Sequence, residues 1–162
     1  AGSLILKPAH QTSAQEWQET IETNLTTAFA TVRAGAKAMM PTGGSIVLCS
    51  TAAARTGFAN HEAIAAAKAG VIGLTLSAAA SYAARGIRVN CVAPGLVDTP
   101  LAARITRSEA ALKASEAMHP LGRIGRPEDV ASAITWLLDP ANSWVTGQVL
   151  GVDGGLAALR PR

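Results

Sequence analysis

Three side chains of one predicted helix share a face. His61, Ile64 and Lys68 stand three and four residues apart, the spacing of neighbours along one side of an α-helix. An imidazole donates or accepts a proton near neutral pH, so the pattern indicates a site for proton transfer. Two simpler interpretations stay open. His61 would only cap the helix beside Asn60, and Lys68 would be an ordinary solvated lysine.

Further polar candidates surround this helix in the sequence. Thr51 carries a hydroxyl that can bond to a substrate oxygen. Asn24 falls inside a predicted helix. In the simplest interpretation its side-chain amide only bonds to the backbone. Four residues that follow a strand-like run would by themselves form an ordinary strand-to-loop turn: Pro94, Gly95, Val97 and Thr99.

The remaining histidines and the cysteines suggest structural roles. His10 and His119 stand in predicted loops beside prolines and are expected at the surface. Cys49 and Cys91 fall in apolar, strand-like runs, which predicts two buried thiols in a reducing compartment. Neither cysteine has a Cys or His partner nearby in the sequence, so no metal site is predicted.

Composition restricts the class of protein. The chain has 162 residues, of which 49% are hydrophobic and 15% charged, so it is expected to fold as one domain and not to be disordered. The net charge is +3 and the basic residues are scattered, which argues against a nucleic-acid partner. No uninterrupted apolar run approaches the ~20 residues that span a bilayer, so a cytoplasmic protein without a membrane partner is predicted. Three tryptophans are expected to be core or interface anchors: Trp17, Trp136 and Trp144.

Short apolar runs predict the strands. They lie near 45–50, 87–93 and 148–152. Helical spacing between them predicts long helices over about 14–39 and 62–84. Strands separated by helices indicate an α/β fold, with a parallel sheet that carries helices on both faces. A three-stranded sheet of this kind leaves an apolar edge, so another strand is expected to pair with it.

The predicted helix ends have recognisable signals. Ser13 and Glu16 have the spacing of a capping box, and Gly86 suits the end of the second long helix. Pro127 and the two acids after it begin a later helix. Residues 101–118 form a polar segment with helical character.

A series of short motifs runs along the whole chain in a fixed order. They are Ala1-Gly2, Thr23-Asn24-Leu25, Arg88-Val-Asn-Cys-Val-Ala-Pro-Gly95, Pro120-Leu-Gly-Arg123 with Pro127-Glu-Asp-Val-Ala131, Thr146-Gly-Gln148 and Val152-Asp-Gly-Gly155. Each motif is weak alone. Their joint order and spacing resemble the C-terminal two-thirds of the classical short-chain dehydrogenases/reductases.

The resemblance implies a Rossmann-like, doubly wound parallel sheet, of which residues 1–162 would form a single partial domain with strands 5 to 7. It also implies an NAD(P)-dependent oxidoreductase that moves hydride between the nicotinamide and a carbonyl/alcohol substrate. The family's glycine-rich cofactor turn is not among these residues. We therefore expect the N-terminal dinucleotide-binding half of the family fold to be missing.

The resemblance also assigns an active site. The family uses Asn, Ser, Tyr and Lys, and Asn24, Thr51 and Lys68 match the first, second and fourth positions. Ile64 stands where the tyrosine would be and cannot transfer a proton. The divergent enoyl-acyl-carrier-protein reductases have Tyr-x-x-Met-x-x-x-Lys, a spacing that His61, Ile64 and Lys68 share. His61 is therefore the candidate proton donor, although the rest of the chain resembles the classical branch more closely.

Other family properties follow in the same way. Lys68 would bind the nicotinamide ribose of NAD or NADP, and Asn24 would kink its helix and hold a proton-relay water. The segment that would contact the nicotinamide comprises Pro94, Gly95, Val97 and Thr99. The two long helices would pair in a homo-dimer or homo-tetramer. Two alternatives remain: a catalytically silent relative that acts as a binding or oligomeric scaffold, and a pure interaction module.

Overall fold

The computed structural model describes residues 2–160, and its centre is a three-stranded parallel sheet. The strands lie side by side in chain order: β1 (Gly44–Cys49), β2 (Ile87–Pro94) and β3 (Val149–Val152). Gly44 is the register partner of Ile87, and Cys91 is that of Val149. The predicted strands are therefore confirmed to within one residue at each end. Ala1, which belongs to the first predicted motif, lies outside the described residues.

Six α-helices accompany the sheet within residues 2–160. Four of them belong to the helical layers on the two faces of the sheet: α1 (Ala14–Ile21), α2 (Thr27–Met39), α3 (Glu62–Tyr82) and α6 (Pro127–Leu138). Two shorter helices fill the polar segment between β2 and α6, namely α4 (Ala103–Thr106) and α5 (Glu109–Met118). Single 3₁₀ turns occur at Ala9–Gln11, Ala52–Ala54, Ala83–Arg85 and Pro140–Asn142.

The first predicted helix is interrupted by a π-helical turn. Ser13 caps α1 through a complete capping box with Glu16, as predicted. Residues Glu22–Thr26 then form a π turn before α2 begins. Asn24 lies in this turn, at the place where the family resemblance implies a kink. Such turns insert one extra residue into a helix and occur frequently at functional sites.

The two faces of the sheet carry different helices. Ile87, Val89 and Cys91 of β2 are buried in the cluster that includes residues of α2 and α3. The intervening Arg88 and Asn90 point to the other face, because Arg88 donates to the Leu137 carbonyl at the end of α6 (2.8 Å) and Asn90 donates to that of Val145 (2.9 Å). The alternation follows from the two-residue repeat of a strand. The α/β fold with helices on both faces is thus confirmed.

Helix α3 is apolar along most of its length. Together with its 3₁₀ extension to Arg85 it is long and apolar enough, by length and composition alone, to cross a bilayer. An 18-residue stretch of it has a mean hydropathy of 1.6, and 39% of that stretch is buried. Its buried residues pack against the sheet, where Val71 and Ala67 are fully inaccessible. Gly86 ends the extension with φ of +68°, the left-handed conformation expected of a helix-terminating glycine.

The prediction of two buried thiols is wrong for one of them, and the predicted tryptophan anchors do not lie in the core. Cys91 is buried, but Cys49 is exposed, because it is the last residue of β1 and its side chain points away from the face that holds Leu48. None of the three tryptophans is a core residue: Trp17 is 43% exposed, Trp136 49% and Trp144 98%. Their alternative role as interface anchors stays a prediction.

Candidate functional site

The predicted site residues meet at one cavity of about 570 Å³. It opens where β1 and β2 end, and in open parallel sheets ligands bind beyond the carboxyl ends of the strands. All nine predicted residues line it: Asn24, Thr51, His61, Ile64, Lys68, Pro94, Gly95, Val97 and Thr99. The structure therefore brings together residues that are up to 75 positions apart in the sequence.

Lys68 is fixed by the end of β1. Its Nζ donates to the Cys49 carbonyl at 2.9 Å, and its own carbonyl accepts from the Ser50 hydroxyl at 2.8 Å. Consecutive residues of the strand thus hold both ends of the lysine. One of the three ammonium protons is used in this way, which leaves donors for a ligand oxygen. The sequence analysis did not single out Ser50, although a polar residue at the end of a predicted apolar strand was a signal for it.

His61 occupies the N-cap position just before α3. Its side chain makes no capping hydrogen bond, so the capping interpretation holds for its position and not for its imidazole. Instead Nδ1 lies 2.8 Å from the Ala59 carbonyl, and the ring is tilted against Phe58 with centroids 5.5 Å apart. Because a carbonyl only accepts, Nδ1 carries the proton and Nε2 is the acceptor of the neutral ring. The orientation of the imidazole is therefore set by its neighbours.

Ile64 provides an apolar wall beside the histidine. Its side chain is only 4% exposed and lines the cavity between His61 and Lys68. The chain contains one tyrosine, Tyr82, at the far end of α3. Eighteen residues of helix separate it from Ile64, about 27 Å at ~1.5 Å per residue. Tyr82 therefore cannot supply a phenol to this site.

The Thr51 hydroxyl is only loosely held. It donates to the Pro94 carbonyl and accepts from the Ala53 amide, both at 3.4 Å, which is long for a hydrogen bond. A hydroxyl in this state can turn toward a stronger partner at small cost. Thr51 follows β1 directly, so the strand fixes the position of its Cα while the hydroxyl remains adaptable.

Asn24 is buried at the base of the cavity, with 2% of its surface exposed. Its Nδ2 donates to the Thr20 carbonyl at 3.0 Å and to the Ser3 hydroxyl at 3.1 Å, while Oδ1 accepts from the Ser3 amide at 3.3 Å. The amide is therefore occupied within the protein. It joins the π turn to the N-terminal segment.

The segment after β2 is held on several sides. Gly95 donates its amide to the Val152 carbonyl at 3.2 Å, and Gly125 donates to the Leu96 carbonyl at 2.8 Å. The Leu96 amide donates to Nε2 of His119 at 3.2 Å. The predicted surface position of His119 is wrong, because this residue is 2% exposed and its ring lies against the strand end. His10, by contrast, is exposed as predicted.

Apolar side chains form most of the remaining cavity wall. They come from the N-terminal segment and from α4, α5 and α6, and include Leu4, Ile105, Met118 and Ile134. Among the described residues that line the cavity there is no carboxylate. No group of three or more His, Cys, Asp or Glu side chains that could hold a metal ion occurs within residues 2–160. The arrangement brings the Lys68 ammonium, the Thr51 hydroxyl and the His61 imidazole to one cavity whose wall is mostly apolar.

Known proteins share this architecture. The chain matches the family model described as enoyl-(acyl carrier protein) reductase over residues 1–157. A solved short-chain type dehydrogenase/reductase from Mycobacterium ulcerans is 35% identical and superimposes with a TM-score of 0.92, over 99% of this chain and 59% of its own. The chain belongs to the short-chain dehydrogenase/reductase family.

Two further members of the family are similar to it. The cis-4-hydroxycyclohexanecarboxylate dehydrogenase of Sinomonas cyclohexanicum is 44% identical over 94% of this chain. ElxO, solved with NADP bound, is 32% identical, with a TM-score of 0.91, over 98% of this chain and 65% of its own. This chain spans about three-fifths of the length of the curated relative, 61%. The predicted absence of the N-terminal half of the fold is not borne out by these alignments, which follow nearly the whole chain.

Proposed function

We propose that the protein is an NAD(P)-dependent oxidoreductase that transfers hydride between the nicotinamide and a carbonyl/alcohol substrate. The observation that carries this proposal is the meeting of Thr51, His61 and Lys68 at one cavity beyond the strand ends. The name of the Sinomonas relative, a dehydrogenase, and the NADP in ElxO support the reaction class and the cofactor.

The donor groups around the cavity suit the nicotinamide end of NAD or NADP. Lys68 supplies ammonium protons for the ribose hydroxyls, and the segment with Pro94, Gly95, Val97 and Thr99 lines the space that the carboxamide would enter. No carboxylate of the described lining opposes the cation. When bound, the nicotinamide supplies the hydride acceptor or donor. The residues of this chain supply orientation and the proton.

His61 is the residue that we assign to proton transfer. Its Nδ1–H is held by Ala59, so Nε2 accepts the hydroxyl proton of an alcohol during oxidation. In the reverse direction the protonated ring returns that proton to the carbonyl oxygen. We assign this role to His61 because we place Ile64 at the position of the family's tyrosine. An isoleucine side chain can neither accept nor return the proton. The Thr51 hydroxyl orients the reacting oxygen.

Asn24 and Lys68 have supporting roles in this proposal. Lys68 places its charge beside the ribose, where β1 holds it in position. Asn24 maintains the π turn, and through it the water that would connect the site to solvent. Because its side-chain amide is already bonded to Ser3 and Thr20, its contribution is structural and not direct contact with the substrate.

The cavity walls favour an apolar substrate. Apolar side chains of α4, α5 and α6 surround the polar groups, and a charged substrate would lose hydration there without a matching partner other than Lys68. The Sinomonas relative is named for cis-4-hydroxycyclohexanecarboxylate, a ring alcohol that also carries a carboxylate. We therefore propose alicyclic secondary alcohols, or the corresponding ketones, as the substrate class of a cytoplasmic, homo-oligomeric enzyme.

The test is alcohol oxidation by the full-length protein. NAD and NADP are supplied in turn with a panel of cyclic and linear secondary alcohols, and the formation of reduced nicotinamide is followed by absorbance. His61→Ala is expected to reduce turnover by about 10²–10⁴-fold, the range for loss of a general acid/base. His10→Ala is the matched control, since His10 is exposed in a surface turn.

The outcomes separate the parts of this proposal. If the unmutated protein oxidises no alcohol and reduces no ketone with either cofactor, the oxidoreductase proposal fails and the silent-relative alternative is favoured. If turnover is present and His61→Ala leaves it unchanged, only the role of His61 is wrong, and another group transfers the proton.

A further inference from the structure

His119 uses both ring nitrogens inside the protein. Nδ1 lies 2.7 Å from the Ser115 carbonyl, and Nε2 accepts the Leu96 amide at 3.2 Å. A carbonyl only accepts and an amide only donates, so the ring is neutral with its proton on Nδ1. Side chains that are this completely buried and bonded at both ends have a fixed orientation.

The two partners of this ring belong to different elements. Ser115 lies in α5, and His119 is the residue at which α5 ends, with its own amide bonded to the Glu116 carbonyl at 3.0 Å. Leu96 lies 23 positions earlier, in the segment that follows β2. The imidazole therefore joins the helix over the cavity to the loop at the cavity floor.

The ring also lies directly against the backbone of that loop. A Cβ atom at Gly95 would lie 2.7 Å from Nε2 of His119 and 3.1 Å from Cα of Asp153. Contacts under 3.0 Å do not occur for real Cβ atoms, so only glycine permits this approach. The other long-range bonds described for this loop, to Val152 and Gly125, join peptide groups.

We propose that His119 is a positioning residue that sets the main chain of residues 95–97 for the nicotinamide and couples this segment to α5. Loss of the Nε2 acceptor leaves the part-buried Leu96 amide without its partner. The segment then moves, and the surface offered to the nicotinamide changes with it. The first part concerns only the loop, whereas the second rests on the proposed function.

Two substitutions separate the two bonds of the ring. His119→Gln places an amide oxygen near the position of Nε2 and keeps an acceptor for Leu96. His119→Asn places an amide group near Nδ1 and keeps a donor for Ser115, but leaves the Leu96 amide unpaired. Both variants lose one hydrogen bond, so a purely structural role predicts similar effects from both. His10→Asn is the control at an exposed histidine.

Two measurements on the full-length protein test the proposal. The first is hydrogen exchange of the Leu96 amide without cofactor, which is expected to accelerate about 10-fold or more in His119→Asn and less than about 3-fold in His119→Gln. The second is the dissociation constant for NADPH, with NADH as the second probe, measured by fluorescence. It is expected to rise about 10-fold in His119→Asn only. Thermal unfolding confirms that each variant is folded.

Each outcome decides one part. Parallel changes in both variants would overturn the positioning role. A change in Leu96 exchange without a change in the NADPH dissociation constant would overturn the link to the cofactor. If the unmutated protein binds neither NADPH nor NADH, the proposed function and that link fail together, while the exchange of Leu96 still decides whether His119 holds the loop.

Discussion

The cation of the site is positioned by peptide groups and not by an acidic partner. Lys68 donates to the Cys49 carbonyl, and Ser50 holds the backbone of the same lysine. A carboxylate would neutralise the charge, whereas a carbonyl dipole orients it and leaves most of its field for a ligand. His61 is also held by a peptide carbonyl, because the Ala59 carbonyl accepts from Nδ1 and so fixes which ring nitrogen carries the proton. Main-chain carbonyls thus orient both groups.

A phenol at position 64 tests the chemistry of this site. Residue 64 lies one helical turn before Lys68, so in Ile64→Tyr the hydroxyl would fall beside the lysine and Thr51. In an His61→Ala background we expect this change to restore turnover by about 10²-fold, because a phenol performs the same proton transfer. Alcohol oxidation with NADP at several pH values is the measurement.

Ile64→Phe in the same background is the matched control for that prediction. Ile64 is 4% exposed, so either aromatic ring is too large for its place. We expect this overpacking to lower the free energy of unfolding by about 1–3 kcal/mol in both variants. Equal turnover in the tyrosine and phenylalanine variants would show that the hydroxyl does not transfer the proton, and that Ile64 does not occupy the position of the catalytic tyrosine.

At the scale of elements, local signals were sufficient for most of the fold. The three strands are short apolar runs, and the ends of α1, α3 and α6 carry Ser13, Gly86 and Pro127, whose effects act within one turn. The π turn at Asn24 has no such local signal, because one inserted residue hardly disturbs the helical spacing. It was anticipated only through the family resemblance.

Burial that depends on distant contacts was predicted less well. His119 stands between a helix end and a proline, which is typical of a surface loop, but its ring bonds to Leu96, 23 residues away. Cys49 ends an apolar run, but it lies at the end of its strand and is exposed. In both cases the neighbours that decide burial come from other elements, and a single sequence does not reveal them.

The start of α6 gives a prediction about pH. Asp129 accepts from Arg123 Nη1 at 2.7 Å and Nη2 at 3.1 Å and from the Arg126 amide at 2.7 Å. Arg123 is the main cause that lowers the pKa of Asp129 to about 2, and the Arg126 amide adds to it. An unpaired aspartate has a pKa of ~3.9. Since the folded value is the lower one, the stabilisation is present above about pH 4 and is lost as the pH falls toward 2.

Asp129→Asn therefore removes a pH-dependent contribution. We expect the difference in thermal unfolding midpoint between the unmutated protein and this variant to be present at pH 6 and to disappear near pH 2. Glu128→Gln is the control, as Glu128 is an exposed acid in the same helical turn. Because Arg123 and Asp129 are solvent-accessible, high salt should reduce the difference. A difference that persists unchanged to pH 2 would contradict the assignment to this ion pair.

At the scale of the whole molecule, α3 presents an unoccupied apolar stripe. The small and apolar residues on its outer face are exposed and recur three or four positions apart: Ala66, Ala69, Gly73, Leu76, Ser77 and Ala80. Gly70 of the same helix does not belong to this stripe, because a Cβ there would lie 2.8 Å from Leu25 of the same chain. Phe29 of α2 adds a further apolar side chain that is 54% exposed. We propose that this face pairs with a second copy of the protein.

Leu76→Glu tests the pairing of these helices. Leu76 is 51% exposed at the middle of the stripe, and a symmetric dimer would contain the substitution twice. Two carboxylates brought into an apolar interface lose hydration without a cationic partner, so the dissociation constant of the dimer should rise about 10²-fold or more. Light scattering of the full-length protein at micromolar concentration should then change from the mass of a dimer or tetramer to a smaller one.

Leu121→Glu introduces the same charge at a leucine that is 74% exposed and lies outside α2 and α3, and it should leave the mass unchanged. If the unmutated protein is already monomeric, the proposed pairing is wrong. If it is an oligomer and Leu76→Glu has no more effect than Leu121→Glu, the stripe on α3 is not the interface, and the exposed Trp136 and Trp144 become the face to test next.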